Sequence, residues 1–167
     1  MNDAELESER LIYRRFRESD VDALLAFHSD PIAQSVYNIE ISRGEIWRRV
    51  ALGIGHWQFR GFGPLLLEEK STGAYVGQCS LWFPEGWGDI EIGYGIAPAF
   101  RRKGLAAEAV RCVRNYGYGD RKFKKLVSYI LPTNLASRAV VESVGAIADG
   151  EFDMSGKPHL IFVHPKP

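Results

Sequence analysis

Residues 90–109 read IEIGYGIAPAFRRKGLAAEA and contain a strand, a short basic turn and the start of a helix. Large apolar residues alternate with Glu91, Gly93 and Gly95 in the first part of this stretch, and a period of two predicts a β-strand. One face of the strand then carries large side chains, while the other carries only one carboxylate and two glycines. Because glycines inside a strand often mark the close approach of a ligand, we expect this second face to be open.

The turn after the strand is basic and built from small residues. Pro98 cannot donate a hydrogen bond to a sheet, so pairing with a neighbouring strand is expected to fail there. The first N–H groups of the following helix lack partners within the helix and carry the positive end of its dipole. These features predict a pyrophosphate site, and the alternative is a basic turn that binds nothing. The turn carries three cations and two small residues, at Arg101, Arg102, Lys103, Gly104 and Ala106.

The pattern Arg101-x-x-Gly104-x-Ala106 resembles the acetyl-CoA-binding motif of the GNAT superfamily of N-acetyltransferases. The strand EIGYGI is similar to the branch that contains the ribosomal-protein-alanine N-terminal acetyltransferases. The resemblance implies that backbone amides of the turn hold the CoA pyrophosphate and that the preceding strand pairs with the pantetheine arm. It assigns acetyl-CoA binding in this stretch to Ile96, Ala97, Arg101, Arg102, Lys103, Gly104, Leu105 and Ala106.

Length and composition limit the classes of protein that fit. A chain of 167 residues is long enough for one domain with a sizeable core, so we expect residues 1–167 to form a single acetyltransferase domain. With 21 basic and 21 acidic residues, the net charge of zero argues against a nucleic-acid or anionic-membrane partner. The start does not look like a signal peptide, and Cys79 and Cys112 lack metal-type spacing, which favours reduced thiols in a cytoplasmic protein.

Periodicity and turn residues predict an α/β (α+β) protein with about seven strands and about four helices. The strand–helix–strand order from residue 90 to residue 131 predicts a right-handed crossover and a parallel neighbour. We therefore expect the GNAT fold, with a mostly antiparallel mixed sheet splayed between strands 4 and 5, which separate after Pro98. The predicted strands are 10–16, 63–69, 74–83, 90–96, 125–131, 150–154 and 159–163, and the predicted helices are 20–28, 103–117, 134–145 and one starting at Ser42.

In the superfamily, two helices between the first two strands usually border the acceptor. Helix 20–28 and the helix from Ser42 correspond to this pair. The resemblance therefore implies that nearby aromatic residues line an acceptor pocket, and the alternative is that they pack helices or core. These residues are Tyr37, Trp47, Trp57 and Phe59.

A second specific motif is Asn134-x-x-Ser137, at the start of a helix that Gly145 closes. It resembles the superfamily motif in which an Asn hydrogen-bonds the pantetheine arm, although Asn is also a good helix N-cap. Many relatives carry a Tyr seven residues after this Asn as proton donor to the CoA thiolate, and here that position is Val141. Ser137 matches the Ser used in the ribosomal-protein branch, which makes it the candidate acid.

The chemistry also needs a base, because an ammonium must lose a proton before its nitrogen attacks a thioester. Glu91 is the best candidate, since it shares the open face with the glycines, and Glu85 and Asp89 in the preceding turn are alternatives. Backbone N–H groups of the splayed strand can stabilise the oxyanion. No metal site is expected, because the four histidines lack metal or triad spacing.

Together these features predict acetyl transfer from acetyl-CoA to a primary amine, a protein N-terminus or a small molecule, by direct attack in a ternary complex. The alternative is a non-catalytic acyl-CoA-binding or sensing domain of the same fold. A nucleotide-binding module is disfavoured, because the third glycine of the dinucleotide fingerprint and the G-K-[ST] of a P-loop are missing. The resemblance also implies a homodimer as a family tendency.

Overall fold

An eight-stranded sheet forms the centre of the structure, a computed structural model that describes residues 4–37, 41–154 and 156–167. In chain order the strands are β1 (Ala4–Glu7), β2 (Leu11–Arg15), β3 (Pro64–Glu69), β4 (Tyr75–Trp82), β5 (Glu91–Ile96), β6 (Val127–Ile130), β7 (Ile147–Met154) and β8 (Lys157–Val163). They lie in the order β1-β2-β3-β4-β5-β6-β8-β7, and β5 and β6 are the parallel pair. The predicted mixed, mostly antiparallel sheet is confirmed.

The strand β1 is one more than the sequence predicted. Its sequence, AELE, is short and acidic and gives little strand signal. It is an edge strand that pairs with β2, and ion pairs reinforce it, between Glu5 and Arg15 at 2.6 Å and between Glu7 and Lys70 at 2.9 Å. Charged residues are common on edge strands because they discourage pairing with other chains.

Five α-helices flank the sheet: α1 (Val21–His28), α2 (Pro31–Tyr37), α3 (Arg43–Arg60), α4 (Leu105–Gly119) and α5 (Leu135–Ser143). The sequence predicted about four, because Asp30-Pro31 was expected only to end the first helix. Pro31 also begins α2, since a proline is well tolerated at the first helical position. None of the described helices is both long and apolar enough to cross a membrane.

Helix α3 is longer than its glycines suggest. Ser42 caps it as predicted, accepting a hydrogen bond from the Glu45 N–H at 3.1 Å, and it ends at Gly61 in the left-handed conformation, with φ of 72°. Gly53 is buried, and a Cβ there would lie 2.9 Å from both the Phe16 and Pro64 side chains. The glycine therefore lets α3 pack closely against the sheet instead of ending the helix.

Strand β5 has the two faces that its sequence predicts. Ile92 is fully buried in the main core, with α4 packed on the same side of the sheet. The three other large residues of the stretch, Ile90, Tyr94 and Ile96, pack against that core. Glu91 and Gly93 lie on the opposite face, where they border a cavity.

The strands β5 and β6 separate earlier than predicted. Their register consists of Glu91 opposite Val127, and the Val127 N–H donates to the Ile90 carbonyl at 3.0 Å. On the other side of β5, pairing with β4 continues until the Ala97 N–H, which donates to the Val76 carbonyl at 2.8 Å. Pro98 therefore ends the pairing with β4, and the cleft beside β6 opens near Ile92, several residues before the predicted point.

Candidate active site

A cavity of about 470 Å³ lies where β5 and β6 diverge. Glu91 and Gly93 border it from β5, Ser128 borders it from β6, and Asn134 and Ser137 border it from the start of α5. On the other side the cavity extends between α1 and α3. The structure thus brings the candidate base Glu91, the candidate acid Ser137 and the motif residue Asn134 to one cavity.

Glu91 is the one carboxylate among the three candidate bases that borders this cavity. Its Oε2 accepts a hydrogen bond from Trp87 Nε1 at 2.9 Å. Burial raises the pKa of Glu91 to about 7, because desolvation disfavours the carboxylate more than the Trp87 hydrogen bond favours it. Glu85 is fully exposed and pairs with Arg60 at 3.5 Å, whereas Asp89 pairs with Lys125 at 3.0 Å.

The edge of β5 that faces the cleft presents backbone donors. The carbonyls of Ile90 and Ile92 point towards β6, since the Val127 N–H and the Ser128 hydroxyl donate to them. Alternate residues of a strand direct their backbone groups to the same side, so those of Tyr94 and Ile96 point into the cleft. Arg101 Nε donates to the Ile96 carbonyl at 3.0 Å. The N–H groups of Tyr94 and Ile96 therefore face the space that β6 leaves.

A short hydrogen-bonded chain holds the point at which the strands separate. The Ser128 hydroxyl donates to the Ile92 carbonyl at 2.6 Å, and His164 Nε2 lies 2.9 Å from the same Ser128 oxygen. Because the hydroxyl proton is used on Ile92, His164 Nε2 is the donor. Burial lowers the pKa of His164 to about 4, so the ring is neutral at pH 7. No local sequence pattern indicates this contact, since Ser128 and His164 are 36 residues apart.

Asn134 acts as the N-cap of α5. Its Oδ1 accepts a hydrogen bond from the Ser137 N–H at 3.1 Å, which leaves its NH₂ group as a donor at the cavity. The Tyr94 hydroxyl donates to the Ser137 carbonyl at 2.8 Å and so ties α5 to β5. The capping alternative for Asn134 is thus correct, and it is compatible with a second contact through the NH₂ group.

Five hydroxyl groups of described residues border the cavity, those of Ser80, Tyr94, Ser128, Tyr129 and Ser137. Four of them already bond to backbone groups: Ser80, Tyr94 and Ser128 donate to carbonyls, and Tyr129 accepts from the Asp89 N–H. Val141, at the position where relatives carry a Tyr, is fully buried against Ile130, Ala146 and Phe162. Ser137 is therefore the cavity hydroxyl that has no hydrogen-bond partner in the described part of the chain.

The basic turn at the start of α4 has an unusual backbone. Gly104 is the N-cap with φ of 76°, and Arg102 has φ of 62°, so both are left-handed. A Cβ on Gly104 would meet only Arg10 Nη2, at 3.6 Å. Arg10 holds the turn from behind, since it donates to the Lys103 carbonyl at 2.9 Å and forms an ion pair with the buried Glu108 at 2.7 Å. The outer side of the turn is exposed.

Arg101 has a structural partner that the sequence did not reveal. Besides its bond to Ile96, its Nη2 contacts Asp30 Oδ2 at 2.6 Å, and this hydrogen bond lowers the pKa of Asp30. The guanidinium thus ties the turn to the segment between α1 and α2. A direct contact of Arg101 with a cofactor remains a prediction.

The predicted turn residues do not border the cavity around Glu91 but follow it along the chain, at the other end of β5. The open β5 edge, the left-handed turn and the start of the 15-residue helix α4 come in that order. Backbone N–H groups at a helix start suit an anion, and a free strand edge suits an extended amide-bearing chain. These residues therefore fit an extended, phosphate-bearing thioester such as acetyl-CoA.

Three of the four aromatic residues predicted for an acceptor pocket have described side chains, and these three do not border this cavity. Trp57 is buried in the core and its Nε1 donates to the Pro64 carbonyl, whereas Trp47 and Phe59 are 45% and 87% exposed. The Tyr37 side chain lies outside the described residues. Helix α3 turns a different face to the cavity, and the Phe, Trp and Tyr residues that border it come from other elements, namely Phe16, Trp82, Trp87, Tyr94 and Tyr129.

Comparison with known proteins gives a family and a fold. The model of the family described as acetyltransferase (GNAT) domain matches residues 10–147. The Bacillus subtilis protein YkkB is 38% identical over 91 residues, so the match spans about half of each chain, 52% in both cases.

Solved structures match over nearly the whole chain. The acetyltransferase from Agrobacterium tumefaciens str. C58 has a TM-score of 0.87 and 25% identity, covering 96% of this chain and 94% of that one. The ribosomal L7/L12 alpha-N-protein acetyltransferase RimL, in complex with coenzyme A, has a TM-score of 0.76 and 21% identity, covering 94% and 93%.

Proposed function

Since the chain belongs to the GNAT acetyltransferase family, we propose that it transfers the acetyl group of acetyl-CoA to a primary amine by direct attack in a ternary complex. The observation that carries this proposal is that the Glu91 carboxyl and the Ser137 hydroxyl border one cavity, at the point where β5 loses its neighbour. The open strand edge supplies backbone donors between them.

Glu91 is the general base in this proposal. A carboxyl with a pKa of about 7 is half ionised at neutral pH, and it is a stronger base than an ordinary carboxylate. It accepts a proton from the incoming ammonium, directly or through one water, so that the neutral amine can attack the thioester carbon. Trp87 fixes the orientation of the carboxylate through its hydrogen bond to Oε2.

The N–H groups of Tyr94 and Ile96 stabilise the oxygen of the tetrahedral intermediate. They point into the cleft and belong to a strand that is held on its other side by β4, so they need no rearrangement during the reaction. Fixed backbone donors of this kind stabilise developing negative charge more than mobile water does.

Ser137 donates a proton to the departing thiolate. A thiol with an ordinary pKa of about 8.5 is a fair leaving group at neutral pH, so a hydroxyl in place of the usual Tyr is sufficient help. Ser137 lies on the first turn of α5 next to Asn134, whose NH₂ group hydrogen-bonds the pantetheine arm in this proposal.

The backbone amides of residues 102–106 bind the pyrophosphate. The left-handed Arg102 and Gly104 direct successive N–H groups outwards, and the helix dipole of α4 adds positive potential. RimL, one of the structural neighbours, is described as an acetyltransferase of a ribosomal protein. A protein N-terminus and a small amine are therefore both candidate acceptors.

Thiol release from acetyl-CoA in the presence of a panel of primary amines and N-terminal peptides tests the proposal. We expect release that depends on both substrates, with kinetics that require the two to be bound together. Acetyl-CoA that binds in calorimetry but is not turned over with any amine would instead support the non-catalytic acyl-CoA-binding alternative.

A further inference from the structure

The end of the cavity between α1 and α3, called the acceptor end below, carries one Lys or Arg side chain in the described part of the chain, that of Arg49 on α3. Ile46 and Gly53 border the cavity from the same helix, and their spacing of three and four residues from Arg49 places all three on one helix face. In the described part of the chain, Arg49 and Glu91 are the only Lys, Arg, Asp or Glu side chains that border the cavity. Apart from histidines, the described residues therefore give the cavity one positive and one negative group.

The guanidinium of Arg49 is incompletely paired. Its Nε is buried and has no hydrogen-bond partner among residues 4–37, 41–154 and 156–167, although 41% of the side chain is exposed. The carboxylate in an ion pair with Arg49 is that of Glu45, whose Oε1 lies 3.7 Å from the same Nε, and Glu45 also pairs more closely with Arg48, at 3.1 Å. In the described part of the chain Arg49 has no other ion pair, so its guanidinium can bind the carboxylate of a ligand.

The surroundings of Arg49 favour a small, partly apolar ligand. Phe16, Leu24 and Leu52 border the same end of the cavity. His28 also borders it, and burial together with the charge of Arg49 lowers the pKa of His28 to about 4. At neutral pH His28 is therefore uncharged, and Arg49 remains the cation available to an anionic group.

We propose that the acceptor is a small zwitterion, an amine that also bears a carboxylate, with an apolar side chain. Arg49 binds the carboxylate, since a guanidinium can donate two parallel hydrogen bonds to it. The amine then lies towards Glu91, which accepts its proton. This assignment rests on the proposed acetyl transfer, because it identifies the acceptor of the same site.

Matched pairs of acceptors test the assignment. The free amino acids leucine, methionine and phenylalanine are compared with their amides in thiol-release assays, with rates expressed per concentration of the ammonium form, because Glu91 takes the proton of the ammonium in the proposed reaction. The wild type is expected to prefer the carboxylates by about 10- to 100-fold in kcat/KM, the range for a hydrogen bond between charged groups. Arg49→Met should abolish this preference, mainly through KM, and Arg49→Lys should keep part of it.

Arg48→Met is the matched control. Arg48 is the neighbouring residue on α3 and contacts the same Glu45, but it does not border the cavity. It should leave the ratio between each amino acid and its amide unchanged. Because each ratio compares two acceptors on one enzyme, a general loss of stability or activity cancels.

Three results would overturn the assignment. The first is an Arg49→Met enzyme that loses activity equally towards carboxylates and amides, which would make Arg49 structural. The second is a wild type that prefers amides or leucine-initiated peptides, which would favour a protein N-terminus. The third concerns the case in which no amine is acetylated, so that the proposed reaction fails and calorimetry decides the role of Arg49. Amino-acid binding that is lost in Arg49→Met would then support this role. Binding that is unchanged in Arg49→Met, or absent from the wild type, would contradict it.

Discussion

Trp87 is expected to set the pH at which the enzyme becomes active. Its indole N–H donates to Glu91 Oε2 at 2.9 Å, and this bond stabilises the ionised carboxylate against the burial that raises its pKa to about 7. Trp87→Phe removes the donor and keeps an aromatic ring in the cavity wall. The protonated form of Glu91 then becomes more favourable, so the acidic limb of the rate profile should move to higher pH.

The size of the effect follows from the strength of the bond. A hydrogen bond to a charged group contributes about 1.5 kcal/mol at the lower end, and about 1.36 kcal/mol corresponds to one pH unit. The midpoint should therefore rise by about one pH unit. The ionised fraction of Glu91 at pH 7 would fall from about a half to about a tenth, so kcat at that pH should fall about five-fold and recover above pH 9.

The assay is kcat for thiol release at saturating acceptor across pH 5.5 to 9.5, an interval that extends about 1.5 pH units below the wild-type midpoint and about 1.5 pH units above the midpoint expected for the variant. Trp82→Phe is the matched control, because Trp82 lies opposite Glu91 in the β4–β5 pair and borders the same cavity. It should leave the midpoint unchanged. A Trp87→Phe enzyme that folds normally but keeps its midpoint, or shifts it to lower pH, would refute the role of this hydrogen bond.

Two further substitutions test the cofactor turn and the acid. Gly104→Val should weaken acetyl-CoA binding by about 10-fold or more in calorimetry. Gly73→Val is the matched control, because Gly73 has φ of 70° and open space around it. Equal affinities in the two folded variants would remove the turn from the binding site. Ser137→Ala should lower kcat while acetyl-CoA affinity is kept, because proton donation acts in the transition state. Ser143→Ala on the same helix should change neither quantity. An unchanged kcat in Ser137→Ala would mean that the thiolate leaves unaided.

The sequence predicted the parts of the site that depend on local pattern. The alternation around Glu91 placed the carboxylate and Gly93 on one face of β5, and the structure has them on the cavity side. The start of α4 next to Gly104 was likewise predicted, from the small residues of the turn and the helical run after them. Such features need only the chain neighbours of a residue, so they are readable from one sequence.

Contacts between distant segments were not readable in the same way. The strands β5 and β6 separate at Ile92 rather than after Pro98. At this point the Ser128 hydroxyl, which also contacts His164, donates a hydrogen bond to the Ile92 carbonyl. The proline limits only the pairing of β5 with β4. Which strand ends where depends on such side-chain contacts, and no local pattern encodes them.

The acceptor side was the least predictable part. Aromatic residues of α3 were expected to form the pocket, but the rotation of the helix on the sheet turns Ile46 and Arg49 to the cavity instead. Gly53 of the same helix lies close to Phe16 and Pro64, where a Cβ would be only 2.9 Å from both side chains. A helix whose polar and apolar residues are mixed around its circumference does not show from sequence alone which face meets a ligand.

The measurement that tests the central claim most directly is the pH dependence of thiol release by Glu91→Gln, which keeps the size of the side chain but cannot accept a proton. With a true acceptor, kcat is predicted to fall roughly 10²- to 10⁴-fold, and the limb near pH 7 is predicted to disappear, while acetyl-CoA affinity is unchanged. A Glu91→Gln enzyme with the wild-type rate and pH profile would contradict the account, since the base would then be another group or solvent.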